Sequence, residues 1–298
     1  MTSLDEILDH LGPLTGKELL RETGSDEFAL WSACRRQDNI MTRVIGKRYL
    51  RLDRQVEEYA RLSPSIRREF HGYTVIGSTG HARQVVEKAA LLEAEMAAIS
   101  RRKFALAQKT ITRLVEAHPE FAAIQERACF MIAGDVVYGM AHGEPRPEPS
   151  IGELVRGSDL DIVIVVEDLP ELTRESLDAA IYKEKYDLLL NPGYREELDY
   201  LLKDTARVRE QLLSGDFRSL VAAKILHEAE FLAGSRDLFA RVKAMLQEHD
   251  IPRKMEHLES LAHLNREKAE VKLLQRTGPP DEEALKFFHT AEEKEEFF

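Results

Sequence analysis

MIAGDVVYG (residues 131–139) and GSDLDIVIVV (residues 157–166) decide the fold. In the second stretch Asp159 and Asp161 alternate with Leu160, and the β-branched run Ile162 to Val166 continues as a strand. Side chains alternate across a strand, so both carboxylates share one face while Leu160 and Ile162 share the other. Two carboxylates that close repel unless a cation compensates them, and oxygen donors of this kind suit Mg²⁺ or Mn²⁺. Such an ion activates a hydroxyl nucleophile and stabilises a leaving pyrophosphate. In the first stretch Met131 to Gly134 ends a short strand, and Asp135 to Gly139 turns into a helix. Gly134 lets the backbone approach a phosphate, and the free N–H groups of a helix start can bind it.

Downstream, residues 171–190 hold a helical period through Leu177, Ile181 and Leu188. Asn191-Pro192-Gly193 stops it. Glu197 to Leu202 is an apolar extended run around Asp199, and Asp187 lies in the last turn expected of the helix.

A strand ending in Gly, a short helix, then Gly-Ser-Asp-Leu-Asp before β-branched residues resembles the polymerase-β-type nucleotidyltransferase superfamily. The resemblance covers about residues 131–203. It implies transfer of a nucleoside monophosphate from an NTP to a hydroxyl or similar acceptor on a nucleic acid, protein or small molecule. It also implies Mg²⁺ or Mn²⁺ held by Asp159, Asp161 and a third acid on a neighbouring strand. Asp199 fits that role, as a catalytic base, better than Asp187 does. Gly134, Asp135, Gly157, Ser158, Lys203 and Lys224 are the expected nucleotide-binding residues. In two respects the chain departs from the family. Asp135 stands where Ser or Gly usually meets the triphosphate, and the span from Gly134 to Asp159 is 25 residues, longer than usual. The excess, GEPRPEPSIGELVR, is Pro-rich and reads as a loop at the rim of the site.

Before the core, residues 1–70 read as short helices around Leu4, Leu8, Leu19 and Phe28, then a hairpin of two extended runs about Gly46-Lys47. That order resembles a winged helix-turn-helix module. Arg35, Arg36, Arg43, Lys47, Arg48 and Arg51 would then meet the phosphates of DNA or RNA; otherwise these side chains are solvated or paired within the protein. VIGSTG (residues 75–80) lacks the Lys of a P-loop and reads as a turn before a long helix over 81–117. That helix buries Val85, Ala89, Leu92, Met96 and Ile99 as one stripe.

Charge is uneven. Residues 35–68 carry 10 basic and 4 acidic side chains, although the chain's net charge is −11. No apolar stretch reaches the roughly 20 residues that span a bilayer, which argues against a membrane partner. The two cysteines, Cys34 and Cys129, are too few for a disulfide scaffold and read as core thiols of a cytoplasmic protein. The expected fold class is α/β (α+β). It comprises a winged-helix-like module (1–70), a linking helix (71–120), a nucleotidyltransferase core with a small mixed sheet (121–204), a helical bundle (205–275) and an acidic tail (276–298). Exposed phenylalanines in the tail offer a protein-binding segment or dock on the chain itself. The rival function is a nucleic-acid-binding regulator or antitoxin-like protein whose transferase domain senses nucleotide.

Overall fold

The computed structural model describes residues 3–276 and 278–290. In chain order the elements begin α1 (Leu4–Leu11), β1 (Leu14–Thr15), α2 (Gly16–Thr23), α3 (Glu27–Arg36), β2 (Ile40–Val44), β3 (Tyr49–Leu52), β4 (Ala60–Ser63), α4 (Ile66–Gly72) and β5 (Thr74–Ser78). They continue α5 (Ala82–Ala117), α6 (Phe121–Arg127), β6 (Ala128–Ala133), α7 (Asp135–Tyr138), β7 (Pro145–Glu148), β8 (Glu153–Arg156), β9 (Leu160–Val166) and α8 (Glu171–Leu190). The chain then forms β10 (Leu198–Asp204), α9 (Thr205–Leu213), α10 (Phe217–Glu228), β11 (Glu230–Gly234), α11 (Arg236–Glu248), α12 (Ile251–Leu274) and α13 (Glu282–Phe288). The fold is mixed α/β with small sheets and no barrel. Among the described residues no helix is long and apolar enough to cross a membrane.

Two compact units divide the chain at 1–95 with 256–298, and at 96–255. This cut differs from the five segments expected from the sequence. The helices and strand of 205–255 belong with the sheet that carries the acids, and the C-terminal segment from 256 returns to the N-terminal unit.

In the first unit, capping boxes start the short helices. Ser3 and Glu6 exchange side-chain and backbone bonds at α1, as do Thr15 and Glu18 at α2. Each box satisfies two orphan N–H groups. The strands correct one expectation. β2 pairs antiparallel with β5, not with β3, giving the order β1-β5-β2. β3 pairs with β4 in a separate two-stranded sheet. The runs either side of Gly46-Lys47 are therefore not two arms of one hairpin. The core gathers Leu8, Leu19, Trp31, Phe70, Ile76 and Leu273. Phe288 of α13 completes it, with ring centroids 5.5 Å from Phe28 and 5.6 Å from Trp31. The tail up to Thr290 thus docks on its own unit rather than offering Phe287-Phe288 as a free pair, while Phe297 and Phe298 lie outside the described residues.

The basic cluster is also largely consumed. Arg35 pairs with Glu270, Arg36 donates to the carbonyls of Leu274 and Arg276, and Arg48 makes a 2.6 Å ion pair with Glu69. Those three arginines stitch α3 and the β3 segment to α4 and α12, so the phosphate-binding role expected of them gives way to internal pairing. Arg43 on β2 stays exposed, and so does Lys47, while Arg51 is half-buried.

In the second unit four strands run in the order β10-β9-β6-β11. β10 is parallel to β9, β9 is antiparallel to β6, and β6 is antiparallel to β11. The sequence pattern predicts helix at the last of these; Glu230-Phe231-Leu232 continues instead as an edge strand beside β6. β9 is apolar on both faces because both are covered. Its even face meets Phe130, Ile132, Leu177, Ile181 and the 99–115 part of α5. Helices α10 and α11 pack against β6. Each fully buried Ile or Phe here contributes roughly 1.5–3 kcal/mol. Both cysteines are buried, and burial pushes their thiols up to about 12.

Candidate functional site

The ladder between β9 and β10 sets the site. In its parallel register Asp199 stands directly beside Asp161, and register partners on adjacent strands point to the same face. Asp187, by contrast, lies in the last turn of α8, exposed and paired with Lys183 at 2.8 Å. Asp161 also opposes Ala133 at the end of β6, which brings Gly134 against its carboxylate. Gly134 has φ +74° and ψ −156°, a conformation open essentially to glycine alone.

Three other carboxylates bear on Asp161 electrostatically. Burial, then Asp135, Asp199 and Glu228, push the Asp161 carboxyl up to about 7, with Lys224 acting against them. Glu228 ends α10, and its carboxylate accepts from the Gly134 N–H at 3.4 Å and from the Tyr138 hydroxyl at 2.6 Å. It also pairs with Lys224, whose ammonium lies 5.5 Å from the Tyr138 ring centre. Lys224 therefore points into the site. Asp135 accepts from the Ser158 hydroxyl at 3.2 Å, and Ser158 in turn accepts from the His142 N–H. Ser158 and Asp135 thus bridge the two ends of the 139–158 insertion. Gly157 serves the same junction: a β-carbon there would lie 1.8 Å from the His142 carbonyl oxygen.

Asp159 precedes β9 and is held elsewhere. Arg146 of β7 pairs with Asp159, makes a 2.6 Å ion pair with Glu197 and donates to the Gly157 carbonyl at 3.0 Å. Asp199, half-exposed, pairs with Lys185 of α8 at 2.6 Å. Lys203 is displaced from the acids. It lies four residues along β10 from Asp199, roughly 13 Å at the strand rise, and donates to Gln211 at 3.2 Å. Its side chain is 9 % exposed, and burial pulls its pKa down to about 8. The phosphate-binding role expected of Lys203 is replaced by this packing against α9.

A divalent cation fits the chemistry of this donor set, which is oxygen-only and rich in negative charge. Among the described residues, however, no three His, Cys, Asp or Glu side chains stand together as a ready metal-binding group. Arg146 and Lys185 draw two of the acids aside. Sequence reasoning missed five participants: Arg146, Glu197, Glu228, Tyr138 and Lys185. Glu228 carried a visible signal in its i, i+4 spacing from Lys224. Arg146 was masked by the prolines at 145 and 147, which made its strand read as a loop. No protein-family model, curated protein or solved structure matches the chain.

Proposed function

We propose that the 96–255 unit is a metal-dependent nucleotidyltransferase. The observation that carries this reading is the side-by-side register of Asp161 and Asp199 on parallel strands, with Gly134 against Asp161. Asp161, Asp159 and Asp199 would hold the cation, which would supply Lewis-acid stabilisation of the charge on the transferred phosphoryl group. The rest of the chemistry belongs to the chain. Asp199 is half-exposed at an edge strand, so an acceptor hydroxyl can reach it and give up its proton there. Lys224 offers positive charge toward the nucleotide from α10, steadied by Glu228. Tyr138 and the Gly134 N–H are fixed on the same glutamate.

The test is incubation with each labelled NTP, Mn²⁺ and cell extract, asking which macromolecule or metabolite becomes labelled. Label transfer by the wild type and none by Asp161→Asn supports the reading; equal transfer by both removes it.

A second reading, a nucleotide-sensing regulator, is favoured by the Arg146–Asp159 pair, which leaves the acids apart. The first unit bears on it. Helices α1 to α3, with β1 between the first two, and the sheet order β1-β5-β2 support a winged-helix-like module whose wing is interrupted by residues 45–73. Arg43 would then supply phosphate contacts to DNA or RNA, and salt-sensitive duplex binding tests that role.

A further inference from the structure

Seven carboxylates (Asp135, Glu148, Asp159, Asp161, Glu197, Asp199 and Glu228) share this region with three cationic side chains, Arg146, Lys185 and Lys224. The cations are not spread evenly. Arg146 carries three contacts at once, to the Gly157 carbonyl, Asp159 and Glu197. A guanidinium is charged at every working pH, and its planar fork of donors suits several oxygens. It therefore neutralises Asp159 from within the chain, where the metal-dependent reading requires a divalent ion to do so.

The element that delivers Arg146 is built as an appendage. β7 and β8 pair with each other in a two-stranded sheet of their own. Pro145 and Pro147 have no N–H to extend it. Its turn closes on itself, with the Ser150 N–H on the Glu148 carboxylate and the Gly152 N–H on the Glu148 carbonyl. Its base is fixed: Lys103 donates to the Arg156 carbonyl at 2.7 Å and pairs with buried Glu196. Leu154 is 57 % exposed, whereas Val155 is buried. The turn end of β8 is tied as well, since Glu153 pairs with Arg195, whose carbonyl accepts from the Arg156 N–H at 2.8 Å.

We infer that Arg146 is a resident counter-ion that competes with the divalent cation for Asp159, and that Arg146 lets go of Asp159 when a cation takes its place. This rests on the metal-dependent reading. A cation on Asp159 faces a like charge at close range while Arg146 stays, so binding and release of Arg146 are coupled.

The experiment is Mn²⁺ titration of the full chain by electron paramagnetic resonance, with wild type and Arg146→Met compared. A companion measurement is hydrogen exchange over residues 145–156 of the wild type, with and without Mn²⁺. The expected result is at least tenfold tighter Mn²⁺ binding by Arg146→Met, and faster exchange of the hairpin in wild type when Mn²⁺ is present. Equal or weaker binding by the variant overturns the inference alone. Should Arg146→Met fail to fold, the wild-type exchange decides, and exchange unchanged by Mn²⁺ overturns it. Absence of Mn²⁺ binding by both proteins overturns the metal-dependent reading and this inference with it.

Discussion

A β-carbon on Gly134 would stand 2.2 Å from Asp161 Oδ2, closer than any side chain tolerates. Gly134→Ala must therefore either push the Asp161 carboxylate off its position or shift the end of β6, and it adds backbone strain of about 1–3 kcal/mol. The expected outcome is a melting temperature lower by several degrees together with weakened Mn²⁺ affinity. Calorimetry and a Mn²⁺ titration check it; two unchanged values would remove Gly134 from the site.

Asp161→Asn should do the opposite to stability. It removes one charge from a crowd of four carboxylates, and relief of such repulsion is worth roughly 0.5–2 kcal/mol. The variant should melt higher than wild type while losing Mn²⁺-dependent nucleotide turnover. A lower melting temperature would mean that the charge of Asp161 is satisfied in the metal-free protein.

Lys203 gives a pH-dependent prediction. Burial, with Arg207 adding to it, holds its folded pKa at about 8, below the value of about 10.4 in an unfolded chain. The native state therefore disfavours the charged form. This penalty is full below pH 8 and is relieved as pH rises from 8 toward 10.4. Lys203→Met should stabilise the protein by about 1–3 kcal/mol at pH 7, because a tenfold change in proton affinity is worth ~1.4 kcal/mol. The gain should shrink toward zero at pH 10. Urea denaturation at the two pH values measures it, and a gain independent of pH would show that the ammonium already has adequate partners.

The N-terminal arginines separate by role. Arg48 pairs with Glu69, whose side chain is 8 % exposed and has Arg266 at 3.2 Å as a second partner, so Arg48→Ala removes one of its two cations at a cost of about 0.5–1.5 kcal/mol. Arg43→Ala, on an exposed position of β2, should leave stability within about 0.5 kcal/mol. If duplex nucleic acid binds this unit, Arg43→Ala should weaken that binding and flatten its dependence on salt. Filter binding across a salt series, beside thermal melts of both variants, tests the division.

Phe288 seals the aromatic cluster of Phe28 and Trp31 and is 1 % exposed. Phe288→Ala should cost about 3–5 kcal/mol. Chemical denaturation followed by the fluorescence of Trp31 reads the loss directly. A loss below about 1 kcal/mol would mean that α13 leaves its seat easily and revive a partner-binding tail.

What the sequence made legible follows from what is local. The strand of Asp161, the helix stopped at Asn191 and the strand of Asp199 each announce themselves over a short stretch, through period and turn chemistry. The same holds for the caps at Ser3 and Thr15. Pairings across long separations were not legible. β2 looks ready to fold back on β3 and instead waits for β5, after residues 45–73. Glu230 to Gly234 follows a helix so closely that its strand form depends on β6 being there to pair with it. Arg146 and Lys185 reach the acids only because of tertiary placement, and neither has a neighbouring residue that marks it.

Glu196 and Glu197, joined by one peptide bond, face opposite duties. The first is buried against Lys103, and the second holds Arg146 at the surface of the site. Lys103 also grips the carbonyl of Arg156, so the end of β8 and the approach to β10 share one anchor on α5. β8 is held at its other end too, where Glu153 pairs with Arg195. The rim hairpin and the strand of Asp199 therefore share a single mooring, so neither can shift without loading the other.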